Sequence, residues 1–509
     1  MNKLGTALIM FLLLGSLVFI VLIFTAGCAV GPNYKRPNVD VPVAYRGAPQ
    51  LEPAQPRQDA SPSAPHSSQA PAQQGSQPTA SSRQETAQSA EQSLGDQKWW
   101  DVFQDPELQQ LIRTALKQNY DVRIAATRIL EAQAQLGITR ADQLPTIGVG
   151  ASAVNQRSPR QKNLPPEYET SANAVGASMA WDLDFWGKYR RGTEAARANL
   201  LATEWARREV TSTLVSSVAA AYLELRAYDL QLEIARRTLS SRQEFVQLTR
   251  TLSDGGSGTM LDVRQAEELV AVAAETIPDL ERRIQQQENL ISTLLGNNPG
   301  PIARGMKLTE QPHLPDVPSG IPSRLLERRP DIRAAEAQLM ASNAQIGIAK
   351  AAYFPQIALT GYSGFLSSSL ASLFTGPAGM WNFGGNLAQP IFEGGRIRSG
   401  VRLSEARKQE LVLAYQQSIQ QAFRGVSDAL VSYQKNREFR EHQEELVVSA
   451  QDAAELSRVR YRGGATGNLE VLTNETNAFY AELGLAQAQA NELLSLVEIY
   501  KNLGGGWEL

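Results

Sequence analysis

The segment Asp121 to Ile147, DVRIAATRILEAQAQLGITRADQLPTI, returns without a gap as Asp331 to Ile357, DIRAAEAQLMASNAQIGIAKAAYFPQI. Asp121/Asp331, Arg123/Arg333, Ala134/Ala344, Gln135/Gln345, Gly137/Gly347, Ile138/Ile348, Ala141/Ala351, Pro145/Pro355 and Ile147/Ile357 are identical pairs. A second register carries Gly187-Lys188 into Gly395-Arg396, and LTRTLSDGGSGTMLDV from Leu248 into LSRVRYRGGATGNLEV from Leu456. A tandem duplication of this length implies two related halves and a body with internal pseudo-symmetry, not an enzyme with one cleft. The spacing divides the chain into repeat 1 at 96–300, a linker at 301–322 and repeat 2 at 323–509.

The N-terminus is of another kind. Asn2-Lys3 precede an apolar run from Leu4 to Phe24 that ends in Thr25-Ala26-Gly27-Cys28. Small residues before a cleavage point mark an exported chain, with 1–27 as signal peptide. Cys28 is the only cysteine, so it has no disulfide partner. Its place after Ala-Gly favours lipid attachment over a retained signal-anchor helix, although the run is long enough to cross a bilayer. Ala29 stands where an Asp would have suggested retention at a bacterial inner membrane.

From Gly47 to about Leu94 the chain is rich in Pro, Gln, Ser and Ala, so 28–95 reads as a lipidated N-terminus followed by a disordered tether. His66, His313 and His442 all have settings of solvated side chains, and no metal or cofactor is expected. A net charge of −3 gives no reason to expect nucleic acid as a partner.

Long stretches carry helical patterning. Between Thr193 and Asp254 there is neither Gly nor Pro, enough for a helix of roughly 90 Å at 1.5 Å per residue. Within it Leu214, Val218, Ala221, Leu225, Tyr228, Leu232, Ala235 and Leu239 alternate steps of four and three, the signature of a left-handed coiled seam. The same spacing runs through Ile419, Phe423, Val426, Leu430 and Tyr433, and through Phe479, Leu483, Ala486, Ala490, Leu493, Val497 and Tyr500. Pro278 is expected to kink or break its helix; the matching residue in the second half is Ala486.

Each half also holds two stretches of weak alternation, 144–155 and 171–184, then 354–365 and 380–391, with aromatics near their ends. A membrane strand needs about nine to eleven residues and shows this pattern. A soluble hairpin capping a helical bundle is the alternative. Four strands cannot close a barrel in lipid, where every backbone polar group must be paired, so membrane strands would require several copies of the chain. Two would give eight strands and three would give twelve, and the pattern does not choose.

Enzyme motifs are absent: there is no GxxxxGK[ST], HExxH or GxSxG, and the GxGxxA match at Gly148 is followed by no helical pattern. The glycine clusters Gly255-Gly256-Ser257-Gly258 and Gly463-Gly464-Ala465-Thr466-Gly467 each separate two helical patterns and predict hairpin turns. Six residues beyond the second glycine of each lies an acid, Asp262 or Glu470. On an oligomeric tube these acids would ring a mouth and favour cations; alternatively they stabilise helix N-termini.

AVGPNYKRP after Cys28, Trp99-Trp100 with FQDPELQQLIRTALKQNYDVRIA from Phe103, RRPDIRAAEAQL from Arg328, PIFEGGRIR from Pro390, RYRGGATGNLEVL from Arg460 and YKNLGGGW from Tyr500 together resemble the outer membrane factors of tripartite efflux pumps. The likeness is to TolC-like lipoproteins of the OprM type. It covers nearly everything from Cys28 to Trp507 outside the Pro/Gln-rich stretch. The resemblance implies a homotrimer with one twelve-stranded β-barrel, four strands per protomer, in a Gram-negative outer membrane, continued by a periplasmic α-helical barrel.

It further implies a passive exit duct with no catalysis and no cofactor, energised by an inner-membrane transporter of the resistance-nodulation-division (RND) class through a periplasmic adaptor. Gly255 to Thr259 and Gly463 to Gly467 would be the tips that meet the adaptor, and Asp262 and Glu470 the acids at the resting entrance. Many relatives carry an Asp where this chain has Thr473, so a second acidic ring is not implied here. A protein-secretion exit duct and a lipid-anchored structural coiled coil are the alternative readings.

Overall fold

The computed structural model describes residues 29–42, 44–47, 93–157, 169–312, 317–318 and 320–507. Cys28, the signal segment, His66, His313 and nearly all of the Pro/Gln-rich stretch lie outside the described residues.

The duplication is kept to the residue in the three longest helix pairs. In the first half come α1 (Trp99–Val102), α2 (Pro106–Gln118), α3 (Tyr120–Ala141), β1 (Thr146–Arg157), β2 (Glu169–Leu183), α4 (Lys188–Asp254) and α5 (Met260–Leu294). The second half has α6 (Pro322–Arg328), α7 (Pro330–Ala351), β3 (Gln356–Ser367), β4 (Gly379–Ala388), α8 (Arg396–Arg462) and α9 (Asn468–Asn502). α3 and α7 each have 22 residues, α4 and α8 each 67, and α5 and α9 each 35. Equal lengths mean that both copies solve one packing problem in one register.

The chain forms two compact units. Among the described residues, one takes 29–38, 127–205 and 334–417 and contains the sheet; the other lies within 39–126, 206–333 and 418–507 and contains the helix hairpins from Ala206 and Ser418 onward.

In the first unit the strands lie in the order β1-β2-β3-β4, every neighbour antiparallel. β2 pairs with β3, joining the two repeats in one sheet. The strand ends differ from the sequence expectation where proline intervenes. β1 begins after Pro145, β3 begins after Pro355 and β4 stops before Pro390, since a residue without an N–H cannot serve the ladder. An N-terminal strap is laid against this unit. Val30 N–H donates to the Trp186 carbonyl (3.0 Å), Asn343 Nδ2 to the Pro32 carbonyl (2.8 Å), and Arg36 pairs with Glu336 (2.7 Å). Gly31 has φ +107 and a Cβ there would lie 2.5 Å from Gly347 Cα, so both contacts require glycine.

In the second unit the apolar seams are buried: Leu214, Val218, Leu225 and Ala235 on α4, Ile419, Val426 and Leu430 on α8, and Phe479, Ala486, Leu493, Val497 and Tyr500 on α9. Burying each such Leu or Val stabilises by about 1.5–3 kcal/mol, so the seams dominate over helix propensity. Pro278 does not break α5, which runs through it. Its flanking residues Ile277 and Leu280 pack with Ile234, Ala235, Phe479 and Ala486, and this packing offsets the backbone hydrogen bond that proline forfeits.

Asp105 is the hub that ties the inter-repeat linker down. Fully buried, it caps α2 through Glu107 N–H (2.9 Å) and accepts bonds from Tyr222 Oη (3.0 Å), Met306 N–H (2.9 Å) and Gln311 Nε2 (3.2 Å). Its contacts leave no room for apolar replacement, because a buried carboxylate is tolerated only when its lone pairs are satisfied.

The sheet has one point of especially close strand approach. Gly176 faces Gly364, and a Cβ on Gly364 would lie 2.3 Å from the Val175 carbonyl oxygen. Gly364→Ala is expected to destabilise the folded protein by about 1–3 kcal/mol. Gly150→Ala, where nothing lies within 4 Å, should leave the thermal melt in detergent, followed by circular dichroism, unchanged.

Candidate functional site

Two surfaces bear on function, one in each unit. The first is the sheet, and its register sorts the side chains. Across the four strands the row Val149–Ala177–Ser363–Trp381 lies on one face, with Ile147–Met179–Gly361–Phe383 on one side of it and Ala151–Val175–Phe365–Gly379 on the other. The opposite face holds Ser152, Thr170, Ser178, Thr360, Tyr362, Asn382 and Asn386 among small residues, with Val154, Leu366 and Met380. One face is therefore apolar and the other polar, although the alternation along any single strand is faint.

Among the described residues nothing covers the apolar face: Val149 is 82 % exposed and Trp381 80 %. Burying such residues demands an apolar environment, and a bilayer supplies one. Among the described residues β1 and β4 each pair with a strand on one side only, and β1 is exposed along its whole length. An edge in lipid must be paired. Trp186 and Phe354 stack at 4.6 Å beside the sheet, with Trp186 Nε1 donating to the Pro355 carbonyl (2.8 Å).

The second surface is the pair of hairpin turns. α4 ends in bonds from Gly255 N–H to the Thr251 carbonyl (3.0 Å) and from Ser257 N–H to Leu252 (2.8 Å); α8 ends in bonds from Gly463 N–H to Val459 (3.1 Å) and Ala465 N–H to Arg460 (2.8 Å). Gly256 (φ +75) and Gly464 (φ +72) take the left-handed conformation that each helix ending needs. Gly258 and Thr259 complete the first turn, Thr466 and Gly467 the second, as the sequence places them. Met260, Leu261 and Leu469 are exposed beside the turns.

Both expected acids are engaged locally. Asp262 closes a capping box with Thr259: its Oδ2 accepts from Thr259 N–H (2.8 Å), and Asp262 N–H donates to Thr259 Oγ1 (3.3 Å). Glu470 has no such cap, since Gly467 offers no side chain; its carboxylate takes Arg460 (3.1 Å) and the Thr466 hydroxyl. Thr473 bonds back to the Leu469 carbonyl (2.8 Å) and brings no charge to the tip.

Asn468, which the sequence pattern did not single out, joins the two hairpins: buried, it donates from Nδ2 to the Asp262 carbonyl (3.2 Å). Tyr461 has its pKa raised by burial and by the Asp262 carboxylate.

Comparison with known proteins shows the family. Residues 111–297 and 321–505 each match the family described as outer membrane efflux protein. The chain is 37 % identical over 423 residues to a probable efflux pump outer membrane protein, TtgC, of Pseudomonas putida, covering 82 % of this chain and 87 % of that one. It is 32 % identical over 494 residues to the cation efflux system protein CusC of Escherichia coli, covering 97 % and 98 %. The open-state structure of the MtrE outer membrane channel of Neisseria gonorrhoeae superposes with a TM-score of 0.80 at 28 % identity, covering 94 % of this chain and 99 % of that one.

The register makes a direct prediction. Val149→Arg, on the apolar face of β1, is expected to lower stability in lipid vesicles by about 2–4 kcal/mol, measured by urea-dependent refolding. Ser152→Arg, three residues along on the polar face, should stay close to wild type.

Proposed function

Because the chain belongs to the outer membrane efflux protein family, we propose that three copies close their four-stranded sheets into one twelve-stranded barrel and continue as a helical tube toward the hairpin tips. The protein is the outer membrane duct of an efflux system in a Gram-negative bacterium, reaching through the periplasm. The observation that carries the reading is the sheet: an apolar face without cover, a polar face suited to water, and two edges awaiting strands.

Transport through such a duct is passive. Polar small residues on the inner face let hydrated or amphiphilic solutes pass without binding them, and cargo selection falls to an inner-membrane transporter of the RND class that supplies the energy. A periplasmic adaptor seated on the turns Gly255 to Thr259 and Gly463 to Gly467 would join the two; exposed Met260, Leu261 and Leu469 give that contact apolar surface. A lipid on Cys28 would add a second hold on the outer membrane. Asp262 and Glu470 would place negative charge at the periplasmic mouth, which favours cations there, in addition to stabilising the first turns of α5 and α9. The names of the relatives favour efflux over protein secretion.

The full chain, extracted in detergent, is expected to run as a heat-labile oligomer and to form ion-conducting channels in planar bilayers. Asp262→Ala combined with Glu470→Ala should reduce cation selectivity, read from the reversal potential under a salt gradient. A water-soluble monomer without conductance would overturn the duct, whereas an unchanged reversal potential would remove only the two acids from the mouth.

A further inference from the structure

Where the strands hand over to helices at the base of the sheet, the duplication repeats a set of cations. α3 carries Arg140 and α7 carries Lys350 in the last turn before β1 and β3. α4 and α8 open on Lys188 and Arg396 after β2 and β4, followed two residues on by Arg190 and Arg398. Both registers that relate the halves, Asp121 to Asp331 and Gly187 to Gly395, thus carry base onto base. Arg402 lies one turn beyond Arg398 on the same face of α8. Helix stability explains Arg140 and Lys350, which complement the dipole at a helix C-terminus. It does not explain the first turns of α4 and α8, which hold no acid and set their cations against that dipole.

Part of this charge is neutralised within the unit. Asp184 takes Arg190 (3.3 Å), Glu393 takes Arg396 (2.5 Å) and Glu405 takes Lys350 (3.3 Å). Arg140, Lys188, Arg398 and Arg402 have no ion-pair partner among the described residues, and Asp142 is the acid beside them that also has none. Arg140, Arg398 and Arg402 are exposed. Between β4 and α8, Ile391 and Phe392 are each 89 % exposed, and Leu387, the last apolar-face residue of β4, is 63 % exposed. Unpaired cations next to exposed apolar side chains match one environment, the boundary between acyl chains and headgroup phosphates.

We propose that Arg398 and Arg402, with Lys188 and Arg140, bind the headgroup phosphates of anionic phospholipids in the periplasmic leaflet of the outer membrane, with Ile391 and Phe392 entering the acyl region beside them. Guanidinium groups suit the task because their donors lie in one plane and meet two phosphate oxygens at once. The flexible stem of Lys188 lets its ammonium reach the same level. An anionic headgroup supplies the negative charge that Asp142 alone does not. A zwitterionic headgroup gains less, because its own ammonium competes for the phosphate. The surface continues the apolar face of the sheet, so charge and apolar fit together hold the base of the barrel at one depth.

The inference rests on the duct reading, since a sheet that never meets lipid has no headgroups beside it. The full chain is purified in detergent as wild type, R398Q/R402Q, R398K/R402K and R424Q, each first checked for the heat-labile oligomer. Lipid adducts are then counted by native mass spectrometry during titration with phosphatidylglycerol or phosphatidylcholine. Wild type is expected to prefer phosphatidylglycerol, and R398Q/R402Q to lose that preference by roughly tenfold with phosphatidylcholine binding unchanged. R398K/R402K keeps the charge and should keep most of the preference. R424Q removes an exposed arginine of α8 paired with Asp428 in the other unit and should match wild type. If R398Q/R402Q does not assemble, R140Q/K188Q on the first repeat carries the same expectation. Equal binding of the two lipids by wild type, a preference untouched by R398Q/R402Q, or an equal loss in R398K/R402K or R424Q overturns the lipid surface. Displacement of phosphatidylglycerol by inorganic phosphate overturns it too, since the cluster would then be a phosphate site. A wild-type protein that needs no detergent and does not conduct overturns the duct instead.

Discussion

Backbone hydrogen bonding in lipid is the constraint on which the rest of this structure depends. Among the described residues the chain contributes four antiparallel strands with an apolar and a polar face, and its outermost strands pair on one side only. Water would satisfy the backbone groups on the other side; hydrocarbon would not, and each unmet group costs several kcal/mol. A protomer of this shape is stable in a bilayer only as an arc of a closed wall. Oligomerisation is therefore a condition of its fold in the membrane, and a hollow interior follows from the closure.

The helical unit meets a different demand. Helices of 67 residues cannot be held by propensity, and their stability comes from seams such as Leu214–Val218–Leu225 and Leu493–Val497–Tyr500. Polar residues inserted into those seams cost stability and give specific pairing in return. Arg440 with Glu492 (2.5 Å), Gln443 with the Ala481 carbonyl (3.0 Å) and Arg458 with Glu475 (2.6 Å) fix the register of α8 against α9. Between α4 and α5 the link equivalent to Arg458–Glu475, Arg250–Glu267, lies more exposed and holds more weakly, and buried bonds from Gln287 to the Ala221 carbonyl and from Arg242 to the Leu269 carbonyl fix the register instead. The duplicated halves thus share lengths but use different residues for their internal bonding.

Much of this was legible in the sequence because it is local or periodic. The repeat, the glycine turns and the spacing of the seams need only the chain's own order. The ends of β1, β3 and β4 were misplaced by a residue or more because apolar runs extend past Pro145, Pro355 and Pro390, where the ladder cannot. The continuity of α5 through Pro278 was not visible either, since the packing of Ile277 and Leu280 against α4 and α9 decides it. Pairing of β2 with β3, the hold of Asn468 on the Asp262 carbonyl and the strap at Val30 to Arg36 join residues far apart in sequence. A polar residue in a helical pattern looks the same whether it faces water or a buried partner on another helix.

The central claim is that the two free edges of the sheet meet in neighbouring copies. Cross-linking tests it most directly, with Cys28 replaced by serine, Ala151→Cys fixed on β1 and single cysteines scanned along β4 from Met380 to Leu387 in the membrane-embedded protein. The account predicts disulfides between chains at alternate β4 positions, and a covalent product of three chains. Disulfides confined within one chain, or no cross-link at any position of β4, would contradict it.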